Sequence, residues 1–199
     1  MAKTISKLTK ITTELTASQI KARSHESQKW LLQKIAMLRS PSQIPRGIKA
    51  EKFRHVSHFE KGAMYCFYYD PKMKADLPYY DKFPLILLLE KYDDGFLGLN
   101  LHYLPIRHRA VLMDKLMSYA ITQGDDILKM NIDYQVLKGA SNVREFKPCI
   151  KRYLYPHLKS SILTIQPNEW EVATFLPMHQ FQKAKAQVVW QDSLDSIRG

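Results

Sequence analysis

Residues 83–90 read Phe-Pro-Leu-Ile-Leu-Leu-Leu-Glu, and from Leu85 to Leu89 every side chain is apolar. A strand turns alternate side chains to opposite faces, so a run that is apolar throughout needs cover on both sides. The run is far shorter than the roughly 20 residues that span a bilayer. It predicts a central, covered strand. Pro84 belongs at the start of that strand, because proline cannot donate to the ladder. Asp93-Asp94-Gly95 then signals a hairpin turn. In the segment that follows, Leu97, Leu99, Leu101 and Tyr103 alternate with Phe96, Gly98, Asn100 and His102. Upstream, Met64-Tyr65-Cys66-Phe67-Tyr68-Tyr69 has the aromatic content of a further strand.

Closely spaced short strands of this kind predict a small, strongly bent antiparallel sheet or barrel. After Pro105, the apolar stripe Ala110, Val111, Met113, Leu116, Met117 and Ala120 predicts a helix. A second stripe, Val143, Phe146, Ile150, Tyr153 and Leu154, predicts another, with Pro148 in its first turn and Pro156 at its end. Trp170 to Leu176 is expected to return to the sheet as a strand, and Met178 to Ile197 to close the fold as a helix. The expected fold is α+β: a small antiparallel barrel-like sheet with packed helices and a basic N-terminal helical arm. The boundaries are residues 1–61 for the arm and 62–199 for the α+β core domain.

The arm is distinguished by charge. The chain carries +11 overall. Residues 1–61 hold 13 Lys/Arg against 4 Asp/Glu, residues 62–140 hold 9 against 10, and residues 141–199 hold 8 against 5. Such a distribution describes a cationic leader on a near-neutral body and points to a polyanionic partner. Within the arm, Trp30, Leu31, Ile35 and Leu38 follow helical spacing, with Lys21, Arg23, Lys29 and Lys34 largely elsewhere on the surface. The segment 39–47 contains Pro41, Pro45 and Gly47, which stop the helix and extend the chain. Arg46, Lys49, Lys52 and Arg54 follow, with Phe53 and His55 among them. Cations at that spacing on an extended chain can track a phosphate backbone. A second basic group, Arg144, Lys147, Lys151, Arg152 and Lys159, is expected to present 144, 147 and 151 on one side of a helix. Nucleic-acid contact is therefore assigned to Lys21, Arg23, Lys29, Lys34, Arg46, Lys49, Lys52, Arg54, Lys147, Lys151 and Arg152. The spacing of a recognition helix or zinc finger is absent, so no base sequence is read.

Signals for catalysis are weak. Asn100 and His102 share one side of their strand, with Tyr79, Tyr80 and Asp81 expected nearby; such a group makes either a pocket, a satisfied hydrogen-bond network or a subunit contact. His55 and His58 lack further ligands at zinc spacing. Asp70-Pro71-Lys72 has the acid-x-lysine order of Mg-dependent nucleases, with Glu51 or Glu60 as an imaginable second carboxylate, but Pro71 is awkward in a strand-borne pair. Phosphate loops and serine elbows are missing. Cys66 and Cys149 lie in apolar context and read as buried thiols. No cofactor is expected. The first residues lack the apolar stretch of a secretory signal, and a cytoplasmic protein is expected.

Three segments carry a resemblance. Tyr68-Tyr69-Asp70-Pro71-Lys72, Leu77-Pro78-Tyr79-Tyr80-Asp81-Lys82-Phe83-Pro84-Leu85 and Gly95-Phe96-Leu97-Gly98-Leu99-Asn100-Leu101-His102-Tyr103-Leu104-Pro105 resemble the DNA end protector, or head-completion, proteins of T-even-type tailed phages. Phe146-Lys147-Pro148-Cys149-Ile150-Lys151-Arg152-Tyr153-Leu154 agrees with that pattern. The resemblance implies a minor virion protein, made in the host cytoplasm, that joins the filled head and shields genome ends from host exonucleases. It implies double-stranded DNA ends and portal or neck proteins as partners, no membrane, and no catalytic residue. Two rivals stand beside it: a purely structural neck or baseplate component whose charge meets acidic subunits, and a nuclease built on Asp70 and Lys72.

Overall fold

The two-sided apolar run occupies the middle of a sheet. The computed structural model describes residues 59–121 and 144–198, together with Lys29, Trp30, Leu32, Gln33 and Ala36. Its strands are β1 (Met64–Cys66), β2 (Tyr80–Asp81), β3 (Leu85–Lys91), β4 (Gly95–Asn100), β5 (Ile150–Leu154), β6 (Leu163–Ile165) and β7 (Phe181–Gln182). Its helices are α1 (Ile106–Ile121), α2 (Trp170–Phe175) and α3 (Ala186–Arg198). The main sheet runs β5-β4-β3-β1-β6, antiparallel at every pairing, while β2 and β7 make a separate antiparallel pair.

Alternation along the strands assigns residues to two cores. Met64 and Cys66 on β1, Leu85, Leu87 and Leu89 on β3, and Leu99 on β4 join one cluster with residues of all three helices. Tyr65 on β1, Ile86 and Leu88 on β3, and Phe96 on β4 join a second cluster with Phe59, Phe67, Tyr69, Tyr153 and Tyr155. A bulge between Leu88 and Glu90 pairs Leu88 with Gly98 and Glu90 with Leu97. The extra residue, Leu89, is thereby kept in the first core before the strand turns out to solvent. Gly95 is required by the closeness of β5: a Cβ there would lie 2.0 Å from the Tyr153 carbonyl oxygen.

The structure corrects five expectations. The sheet is not barrel-like: its order ends at β5 and β6, which do not pair, and the three-residue strands β1 and β6 are too short to wrap. The helix expected over 143–154 is instead a 3-10 segment, Arg144–Cys149, followed by strand β5. Pro148 withholds a backbone donor from any α-helix there, and the exposed ladder of β4 supplies partners to Ile150–Leu154. As a strand, the segment sends Ile150 to one core and Tyr153 to the other. The strand expected at Trp170 is a helix. A 3-10 turn, Pro167–Glu169, leads into it, and Gln166 and Glu169 hold that turn by exchanging side-chain and backbone hydrogen bonds in a capping box. The closing helix begins only at Ala186, because Phe181–Gln182 is drawn into pairing with Tyr80–Asp81. The strand 96–104 ends at Asn100; the Asn100 side chain accepts from the His102 amide at 3.0 Å and starts a 3-10 turn, Leu101–Tyr103.

Candidate nucleic-acid interface

Of the arm cations, Lys21, Arg23, Lys34, Arg46, Lys49, Lys52 and Arg54 lie outside the described residues, as do Glu51, His55 and His58. Lys29 is described and exposed, on the same helical turn as Trp30. Trp30 packs against the first core, and its indole Nε1 donates to Glu169 Oε1 at 3.0 Å. Trp30, the one described member of that apolar stripe, thus fastens this turn to the body beside α2.

The second basic group is spread over two kinds of backbone, which separates its members. Lys147 is exposed on the 3-10 segment. Lys151 and Arg152 are neighbours on an edge strand and project to opposite sides. Arg152 is ion-paired with Asp94 Oδ1, and its guanidinium lies 3.9 Å over the Tyr92 ring. That charge is already matched across the β3–β4 hairpin. Lys151 differs. Its ammonium sits 4.1 Å over the Tyr103 ring and is half-buried; no carboxylate meets it among the described residues. Burial pushes its pKa down. A cation held this way favours an incoming anion. The expectation that 144, 147 and 151 share one helical side fails with the helix itself.

Lys151 borders a cleft of about 320 Å³. Its opposite wall is the segment 77–81, including Tyr79, Tyr80 and Asp81, with Tyr103 also lining it. The wall is pinned twice. Tyr80 and Asp81 pair with Gln182 and Phe181 in the small ladder. Lys183, held at a φ of 68°, sends its ammonium back to the carbonyls of Ala75 and Leu77 at 2.7 and 2.9 Å. A lysine in the left-handed region is uncommon, and these bonds hold it there.

Beneath the cleft is a polar network that the sequence only half revealed. Asp81 Oδ1 accepts from the amides of Phe83 and Gln180 at 3.1 and 3.0 Å. Asp81 Oδ2 accepts from Asn100 Nδ2 at 3.3 Å and meets His102 Nδ1 at 2.5 Å. Asn100 Nδ2 also donates to the Tyr153 hydroxyl at 3.1 Å. Burial raises the Asp81 carboxyl, but the imidazole and the two amides outweigh it and hold it below the usual carboxylate range. Burial also keeps His102 neutral, its pKa lowered despite the carboxylate. An ionised Asp81 can only accept, so Nδ1 of a neutral His102 carries the proton. His102 Nε2 is buried without a hydrogen-bond partner among the described residues, a lone pair being cheaper to leave unmatched than a charge. Of the group expected near Asn100 and His102, Asp81 joins them in a buried network, while Tyr79 and Tyr80 line the cleft above it.

Arg109 was missed by the sequence reading. It is fully buried, and its guanidinium donates to the carbonyls of Leu104 at 2.7 Å, Leu176 at 3.2 Å and His102 at 3.4 Å. Burial lowers its pKa to about 10. The available signal was position: Arg109 falls among Ile106, Ala110 and Met113, on the stripe that faces the core. His102's carbonyl also accepts from Trp190 Nε1 at 2.9 Å, which ties α3 to the same turn.

Of the nuclease pattern, Asp70, Lys72 and Glu60 are described and Glu51 is not. Asp70 bonds Lys74 Nζ at 3.0 and 3.1 Å, and its carboxyl is held low by that lysine. No group of three or more His, Cys, Asp or Glu residues suited to a metal ion occurs among the described residues. Cys66 and Cys149 are buried free thiols, as read, and burial pushes the Cys149 thiol up to about 12. Among the described residues no helix is long and apolar enough to cross a membrane.

A family model described as phage T4 terminal DNA protecting protein matches residues 3–193. Neither the curated proteins nor the solved structures contain a match.

Proposed function

Because the chain belongs to the phage T4 terminal DNA protecting protein family, we propose that it binds the ends of linear double-stranded DNA and shields them from host exonucleases without itself performing chemistry. The observation that carries this reading is a family match over nearly the whole chain, joined to a +9 excess, 13 against 4, in residues 1–61. In this reading Lys21, Arg23, Lys29, Lys34, Arg46, Lys49, Lys52 and Arg54 neutralise phosphates along the duplex. Lys147, Lys151 and Arg152 extend the contact onto the body. Phosphate contacts supply affinity without sequence preference, which suits a protein that must accept any terminus. If about six of these cations engage, log K falls against log salt with a slope near −5. Completion of the filled head, with portal or neck proteins as partners and the virion as final location, belongs to the same proposal.

Two enzymes test it. Linear and circular duplexes are challenged with an exonuclease and an endonuclease, respectively, while the protein is titrated. The reading expects linear DNA to survive the exonuclease at protein concentrations that leave endonuclease cleavage of the circle unchanged. Equal shielding of both substrates reduces the activity to general coating. No binding near 50 mM salt transfers the positive charge to contacts with acidic subunits, as in a structural neck component.

A further inference from the structure

Resting on that reading, we infer that the tyrosine-lined cleft receives an unpaired terminal nucleotide of a DNA strand, its base against Tyr80 and its phosphate on Lys151. The cleft's size, about 320 Å³, lies at the low end of small-ligand pockets, roughly 300–1,000 Å³. It admits one nucleotide and excludes a duplex. Its chemistry is that of sites for unpaired strands, in which aromatic rings take bases and cations take the backbone.

The particular residues fit those roles. Tyr80 is half-buried on the cleft wall and makes no ring contact among the described residues, whereas Tyr79 is already near Tyr103 and Phe181. Pairing with Gln182 fixes the Tyr80 backbone, so stacking there requires little further ordering. Lys151 offers a half-buried ammonium that meets no carboxylate among the described residues, whereas Arg152, also along the cleft, has its guanidinium engaged by Asp94. Asp81 also lines the cleft, and its charge opposes an anion. Both of its oxygens, however, are engaged by Phe83, Gln180, Asn100 and His102, so that charge is spent inward. Tyr80 is thus the stacking platform and Lys151 the phosphate contact.

The test uses the full chain and three duplexes of equal length: blunt, tailed with three unpaired nucleotides, and sealed at both ends by hairpin loops. Wild type is compared with Tyr80→Ala, Tyr80→Phe and Lys151→Gln, with thermal melting as a check on folding. Wild type should bind the tailed duplex about tenfold tighter than the sealed one, the effect of stacking one base. Tyr80→Ala should remove most of that preference while leaving affinity for the sealed duplex unchanged; Lys151→Gln should also remove most of it and, as the loss of one phosphate contact, weaken binding to the sealed duplex as well. Tyr80→Phe, which keeps the ring, should retain it. If wild type prefers open ends and both variants keep that preference, the cleft assignment is wrong and end binding stands. If wild type does not separate open from sealed ends, end binding itself fails and the cleft assignment with it.

Discussion

On one face of the sheet Leu85, Leu87 and Leu99 meet Ala110 and Met113 of α1, Ala173 and Phe175 of α2, and Val189 of α3. On the other, Tyr65, Phe67, Phe96 and Tyr153 meet one another, and no described side chain of α1, α2 or α3 contributes. On the first face the strands offer no ring and are covered by helices. The second is closed by rings in defined orientations. Phe96 lies edge-on to Phe59 and Phe67 at 5.0 and 5.5 Å and stacks on Tyr153 at 5.4 Å. Aliphatic packing depends mostly on volume, whereas ring pairs add a directional term of about 0.5–1.5 kcal/mol each. The faces should therefore differ less in total stability than in tolerance of shape change. The two meet at Asn100, which bonds both Tyr153 of the ring cluster and Asp81.

The largest expected effect is on the aromatic face. Phe96→Ala should cost about 3–5 kcal/mol in denaturant unfolding, and Leu87→Ala about 2–5 kcal/mol. Shape-conserving changes sharpen the contrast: Leu87→Met should cost under about 1.5 kcal/mol, and Phe96→Leu clearly more. Equal costs for those two would break the comparison. Next is the junction. Asp81→Asn should lose about 3 kcal/mol, because the buried Arg109 guanidinium would then lack its nearby negative charge. Its unfolding midpoint should fall with no change in m-value.

Gly98→Ala is expected to cost about 1–3 kcal/mol by overpacking. The added Cβ would lie 2.8 Å from Ile86 Cδ1 and 3.1 Å from Ile86 Cβ, on the ring-bearing face. An Ile86→Val companion should recover part of the loss, which a double-mutant cycle would read. The smallest effect is acid sensitivity. Burial, with His102 and Arg109 nearby, lowers His179 to about 4 from the usual 6.5. Between those values the unfolded chain binds the proton and the native one does not, so stability falls as pH drops from 6.5 to 4. After allowance for solvent screening at this half-buried ring, the loss is about 1–2 kcal/mol. His179→Gln should flatten that part of the profile in urea unfolding measured across pH.

What was readable in the sequence follows the reach of each interaction. Leu85–Leu89 and the Asp93-Asp94-Gly95 turn specify strand and hairpin through neighbours alone, and both stand. The helix after Pro105 stands for the same reason, with Ala110 and Met113 of its stripe buried, although Val111 is exposed. Ile150–Leu154 was misread because residues at three- and four-residue spacing suit a helix, while the decisive partner was the ladder of β4, more than 50 residues away in sequence. Trp170–Phe175 was misread although its local start signal, Gln166 to Glu169, was present and outweighed by the strand-like residues after it. In the candidate site, Lys151 and Tyr80 carried no local mark that they face one another; only the β2–β7 pairing and the β5 edge bring them to one cleft.

Terminal recognition is tested most directly by competition at about 0.15 M salt, where exposed electrostatics are screened beyond roughly 8 Å. A labelled linear duplex bound to the full chain is challenged with equal masses of open-ended linear DNA and of the same DNA closed into a circle. The account predicts that open-ended competitor displaces the label at far lower concentration, and that shortening it, which raises the number of ends per mass, strengthens displacement in proportion. Identical displacement by linear and circular competitor would contradict it.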